Sequence, residues 1–154
     1  MSVASATVPS VPITVSTVNV NGIRAAARKG MLPWLEATDA DVVCLQETRA
    51  DDGELTKALA PALDAGWHLA SAAPSGKGRN GVAVLSRTAP DAVRVGIGAD
   101  EFAEAGRYIE ADFGDVTVAS LYLPSGAVGT ERQEEKERFM AAFAPYLTAL
   151  ASTD

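Results

Sequence analysis

The sequence predicts a mixed α/β protein. Apolar strands alternate with amphipathic helical segments along the chain, and three strands carry apolar side chains on both faces. Strands of that kind, around Val42–Leu45, Val82–Leu85 and Val116–Leu123, belong to a sheet that is covered on both sides. Three helices can cover one face. On this reading little of the chain remains to cover the other.

The elements follow in order. Residues 13–18 alternate and are β-branched, which predicts a strand. Residues 22–30 hold Arg24, Arg28 and Lys29 and read as a basic loop. A short helix is expected over 31–37, with Pro33 tolerated in its first turn. Residues 41–46 form the first two-sided strand. Residues 53–63 are rich in Ala and Leu and read as a helix, followed by a strand over 67–72 and a Gly-rich turn over 74–80. Strands are predicted over 81–86 and 92–95, then over 108–113 and 116–123, where Gly114-Asp115 is a two-residue hairpin signal. The last segment is a helix. Thr130 and Gln133 make a capping-box pattern, Glu134 stands four residues before Arg138, and Phe139, Phe143, Leu147 and Leu150 share one face, with Pro145 expected to kink the end.

Composition narrows the function classes. The 154 residues are 47% hydrophobic and 21% charged, as in an ordinary single globular domain over residues 13–154, and no apolar run is long enough to span a membrane. Residues 1–12 lack a basic start and an apolar core, and read as a disordered leader. The lone Cys44 allows no intramolecular disulfide and fits a reducing, cytoplasmic setting. A net charge of −7 argues against an indiscriminate nucleic-acid binder, yet thirteen Lys and Arg are enough for a local phosphate grip. Arg24, Arg28 and Lys29 cluster in one segment, Lys77 and Arg79 in another, and each cluster also reads as a solvated loop.

Two blocks carry the chemistry: Asn19-Val20-Asn21-Gly22-Ile23-Arg24 and Leu45-Gln46-Glu47-Thr48. Each is an apolar strand ending in a polar side chain able to reach a metal ion or a phosphate. With Gly81-Val82-Ala83-Val84-Leu85-Ser86, Gly106-Arg107-Tyr108 and Tyr122-Leu123-Pro124-Ser125-Gly126, their order and spacing resemble the exodeoxyribonuclease III family of bacterial apurinic/apyrimidinic endonucleases, in the endonuclease/exonuclease/phosphatase superfamily. The resemblance runs from about residue 14 to residue 150.

The resemblance implies a four-layer αββα sandwich, of which this chain supplies roughly the first half. It implies hydrolysis of DNA phosphodiesters at abasic sites and 3′ ends of duplex DNA with Mg2+, or Mn2+ in its place. It makes Glu47 a metal ligand, Asn19 its neighbour at the metal, and Tyr122 an active-site phenol. Arg24, Arg49, Arg107, Lys77 and Arg79 are then expected along the DNA backbone. Asn21 stands where relatives carry Asp and is left out of the metal set. The family's Gly-Asp-aromatic-Asn and Ser-Asp-His motifs do not occur, so the chain is expected to be a truncated, inactive form. Its second sheet face is then bare at Val42, Val84 and Val118 and open to self-association.

The residues leave alternatives open. Glu47 also reads as a side chain leaving the sheet into solvent, Asn19 as a turn residue and Tyr122 as an interfacial tyrosine. His68, the sole histidine, reads as structural, and Cys44 as a small core residue. At the level of the whole chain, another phosphoesterase of the superfamily and a non-catalytic half-domain that pairs with a separate chain remain as alternatives.

Overall fold

The structure, a computed structural model, describes residues 11–74, 76, 79–123 and 125–152. The expected leader falls almost wholly outside them. Among the described residues seven strands form two sheets. The first has the order β1-β2-β4-β3, from β1 (Val15–Asn19), β2 (Val42–Gln46), β3 (His68–Ala72) and β4 (Val82–Ser86). The second is an antiparallel meander of β5 (Ala92–Val95), β6 (Tyr108–Phe113) and β7 (Val116–Leu121).

The two-sided strands explain the layering. Val43 and Leu45 of β2 and Ala83 and Leu85 of β4 point to one side of the first sheet. There they pack on α1 (Ile23–Ala26), α2 (Leu32–Ala37), α3 (Asp52–Ala58) and α4 (Ala60–Asp64) through Ile23, Leu35, Leu55 and Ala62, with Leu59 at the joint between the last two. The alternate residues Val42, Cys44, Val82 and Val84 point to the other side and meet Ile109, Ala111 and Val118 of the second sheet. The outer face of that second sheet is covered in part by α5 (Glu131–Ala151), where Phe139 and Phe143 pack with Ile97, Phe102 and Tyr108. The order helices, sheet, sheet, helix is the four-layer αββα sandwich.

This corrects the expectation of a bare second face. Val42, Val84 and Val118 are all buried, so the face named for self-association is the interior between the sheets. The error lay in assigning 116–123 to the same sheet as Val42 and Val84. The Gly114-Asp115 hairpin and the β5–β6 pairing close a separate sheet, which lies against the first.

Smaller corrections have local causes. Residues 22–30 are not a loop: α1 starts at Ile23 and runs through a wide π-type turn (Ala27–Met31) into α2, with Gly30 at φ 113° absorbing the kink. The helix expected over 53–63 breaks at Leu59, just before Pro61. Its start has a complete capping box, Asp51 accepting from the Glu54 amide and Glu54 from the Asp51 amide. At α5 only half of the predicted box forms: Thr130 Oγ1 accepts from the Gln133 amide, while the Gln133 side chain donates to Glu137. Arg138 turns to Glu101 at 2.7 Å. Leu147 is exposed, so the buried stripe is carried by Phe139 and Phe143. Helix α5 runs through Pro145 without interruption.

Candidate functional site at the strand ends

β1 and β2 are parallel neighbours with Asn19 opposite Gln46, so the segments that leave them emerge side by side. Three backbone bonds tie these segments together: Val20 N–H to Gln46 O, Gly22 N–H to Glu47 O and Ile23 N–H to Thr48 O, at 3.0, 2.8 and 2.9 Å. The third contributor comes from the second sheet. Gln46 Nε2 donates to Ser120 Oγ at 3.0 Å, and Ser120 Oγ donates to Leu45 O at 2.8 Å. This buried polar bridge pins β7 to β2. Two residues beyond Ser120, Tyr122 reaches the same corner.

The outcome is a tight cluster. Arg49 bonds the Glu47 carboxylate at 2.9 Å, and the Asn19 carboxamide and the Tyr122 hydroxyl stand beside it, near enough to bias its ionisation. Asn19 Oδ1 accepts from the Asn21 amide at 3.1 Å, which leaves its NH2 group for Glu47. The Asn19 carboxamide is the largest of the influences that hold the Glu47 carboxyl below the usual carboxylate range; Tyr122 and Arg49 add to it and burial opposes it. Glu47 is therefore ionised at neutral pH. Burial, followed by the bond to Glu47, pushes the Tyr122 phenol up, so it stays protonated.

Backbone geometry holds the carboxylate in place. Asn21, Glu47 and Arg49 all have φ near +50°, a conformation that costs a non-glycine residue about 1–3 kcal/mol. The loop is locked from below by Gly81, whose carbonyl accepts from the Thr48 amide at 3.1 Å and whose own amide donates to Gly106 O at 2.9 Å. Gly81 has φ 95°, and a Cβ there would stand 2.1 Å from Thr48 Oγ1. No other residue type fits that approach.

Beside this corner lies a cleft of about 330 Å³ lined by Arg49, Arg79, Asn80, Arg107, Tyr122, Ser125, Arg132 and Glu135. Arg107 is only 8% exposed, bonds Glu135 at 3.0 Å and lies 5.7 Å from the centre of the Tyr122 ring. Arg24 occupies an adjoining basic hollow with Arg28 and Arg49, and pairs with Glu54 at 3.2 Å. Asn19, Glu47, Tyr122, Arg49, Arg79 and Arg107 thus converge, and Arg24 stands alongside. Lys77 lies outside the described residues. His68 is at the opposite end of the sheet, paired with Ser86, whereas Val82 pairs with Gln46.

Sequence reasoning missed Arg132, Glu135, Asn80, Ser125 and the buried Thr48. Asn80-Gly81 is a turn signal, but nothing in an amphipathic helix marks Arg132 and Glu135 as facing a cleft. The corner matches a divalent ion chemically, since Glu47 and Asn19 offer oxygen donors of the kind hard cations take with water and phosphate. Among the described residues no three His, Cys, Asp or Glu side chains gather, so such an ion has few protein ligands here. Nor does any described helix have the length and apolarity to cross a membrane.

Comparison with known proteins agrees with this architecture. The chain is 37% identical over 134 residues to an exodeoxyribonuclease of Bacillus subtilis (strain 168), covering 86% of this chain and 51% of that protein. It is 32% identical to the DNA repair nuclease APEX1 of Danio rerio, over 86% of this chain and 43% of that one. It spans about half the length of these relatives. An AP endonuclease structure from Archaeoglobus fulgidus superposes with a TM-score of 0.80 at 28% identity, over 93% of this chain and 53% of that one. A Neisseria 3′ phosphatase bound to a product DNA hairpin gives 0.80 at 26%, over 92% and 53%. The profile of the Endonuclease/Exonuclease/phosphatase family, whose nucleases depend on a divalent metal ion, matches residues 16–152. With the family's pattern matched over nearly its whole length, the chain belongs to the Endonuclease/Exonuclease/phosphatase family.

Proposed function

We propose that this chain is part of a DNA-repair nuclease that hydrolyses backbone phosphodiesters at abasic sites and 3′ ends of duplex DNA, in the cytoplasm, with Mg2+ or Mn2+. The observation that carries the reading is the ionised Glu47 carboxylate, fixed by Asn19, Tyr122 and Arg49 at the mouth of an arginine-lined cleft. Glu47 and Asn19 would hold the ion. When bound, it supplies charge compensation at phosphoryl oxygens and a more acidic water. Tyr122, being protonated, acts as a hydrogen-bond donor to a phosphate oxygen and not as a phenolate base. Arg49, Arg79 and Arg107 line the path of the backbone, with Arg24 beside it and Lys77 assigned there from sequence alone. Contacts of this kind set register on the duplex and carry no base sequence.

The test is binding and cleavage of an abasic-site duplex by the 154-residue chain with magnesium. Duplex binding should weaken on Arg49→Ala and Arg107→Ala. Metal binding should be weak and depend on Glu47, and multiple turnover should be slight, because groups that act as a unit fail together and few acidic ligands gather here. No duplex binding, together with hydrolysis of a small sugar or inositol phosphate, would replace this reading with that of another phosphoesterase. Duplex binding with no Glu47-dependent metal binding would point to a non-catalytic module.

A further inference from the structure

Arg107 presents an unusual arrangement. It is more than nine-tenths buried, yet its Nε and Nη1 are enclosed and have no hydrogen-bond partner among the described residues. Its one acceptor is Glu135, which takes a bond from Nη2 at 3.0 Å. Arg49, Arg79 and Arg132 line the same cleft, where Glu135 is the only carboxylate among the described lining residues. Leaving N–H groups of a buried guanidinium without acceptors is unfavourable, so the site is primed for an anion. A phosphate matches a guanidinium fork with two parallel bonds. Both forks of the group include Nη2, and the Glu135 bond takes one of that nitrogen's two hydrogens and so closes one fork.

We propose that Glu135 is a built-in competitor for the anion seat of Arg107, a tethered carboxylate that holds the guanidinium until a phosphate group displaces it. The carboxylate belongs to α5 and is partly open to solvent, with 36% of its side chain exposed. It can therefore swing out at modest cost and be hydrated, which the buried Arg107 cannot. Displacement exchanges the Glu135 carboxylate at Nη2 for a phosphate oxygen, and seats the more highly charged anion among Arg49, Arg79 and Arg132. Glu135 thus lowers affinity for any phosphate and keeps the arginine oriented while the cleft holds none. The nuclease reading enters only in naming the arriving phosphate as one of a DNA backbone.

The experiment titrates inorganic phosphate, and separately an abasic-site duplex, into the wild-type chain, Glu135→Gln and Glu135→Ala, with circular dichroism as a folding control. Both variants should bind inorganic phosphate on the order of tenfold more tightly, the scale of one hydrogen bond to a charged group. Their duplex affinity should fall more steeply with salt, by about one further counterion released. Unchanged or weaker phosphate binding in both folded variants overturns the competitor, and so does phosphate binding by none of the three proteins. Tighter phosphate binding with no duplex binding in any of them upholds Glu135 as competitor and removes DNA as the ligand. Duplex binding that ignores Glu135 does the reverse.

Discussion

Glu47 shows how much one residue depends on its neighbours. A carboxylate at the end of a buried strand is unfavourable unless it is compensated, and here Arg49 bonds it while Asn19 and Tyr122 favour its charged form. Glu47→Gln keeps the shape and removes the charge. It should abolish divalent-ion binding measured by isothermal titration while leaving the thermal unfolding curve nearly in place; ion binding that survives would show that Glu47 is no ligand. Gly81→Ala acts on the same corner from beneath. The added Cβ meets Thr48 Oγ1 in a left-handed conformation, so the change should destabilise the fold by about 2 kcal/mol or more, read in a urea titration. Cys44 provides a residue-scale probe of the interior. Burial raises its thiol to about 11, so the native chain should resist a thiol reagent at pH 8 and react only on unfolding. Rapid labelling of the folded chain would contradict the sealed layer between the sheets.

At the scale of elements, α5 and β6 are joined by a buried aromatic contact. Phe139 and Phe143 seat the helix against Tyr108, and the fully buried Glu110 of β6 accepts bonds from Tyr108 and Arg94. Phe139→Ala should lower stability by about 3–5 kcal/mol, a large part of a typical total. A loss below 1 kcal/mol would mean that α5 is not docked as described. Arg94 also bonds both Asp112 oxygens at 2.7 Å, and this contact, ahead of Thr117, pulls the Asp112 carboxyl from 3.8 to about 2. A depressed carboxyl stabilises the fold fully above its unfolded value. The contribution is lost as pH falls from 3.8 through about 2. Arg94→Gln should therefore move acid unfolding to higher pH, and superimposable acid curves would refute the link. The sequence marked these strands and the helix, since period and capping are local. It did not reveal that Arg138 would choose Glu101 over Glu134, because that choice depends on a turn 37 residues away in sequence.

Across the whole molecule, two sheets share one dry interface. β2 and β4 lie inside the first sheet and are covered on both faces, so their amides should exchange with solvent most slowly. β1, β5 and β7, each hydrogen-bonded to a strand on one side only among the described residues, should exchange faster. Uniform exchange across all seven strands would contradict the layering.

The sequence by itself determined the alternation of strands and helices, the strands that need cover on both faces, and the polar residues that end them. Those properties reside in short windows, where period, turn chemistry and side-chain type act locally. Asn19, Glu47 and Tyr122 were singled out by resemblance to a family, since by residue type alone each also reads as a turn, solvent-facing or interfacial side chain. Only the tertiary structure decided which strands share a sheet, and so that Val42, Val84 and Val118 face a second sheet and not water. It alone decided that Arg132 and Glu135 of α5 turn into the cleft beside Arg107. Pairing between strands and the docking of a helix are chosen by contacts distant in sequence, and a helix face leaves no local mark of what it will meet.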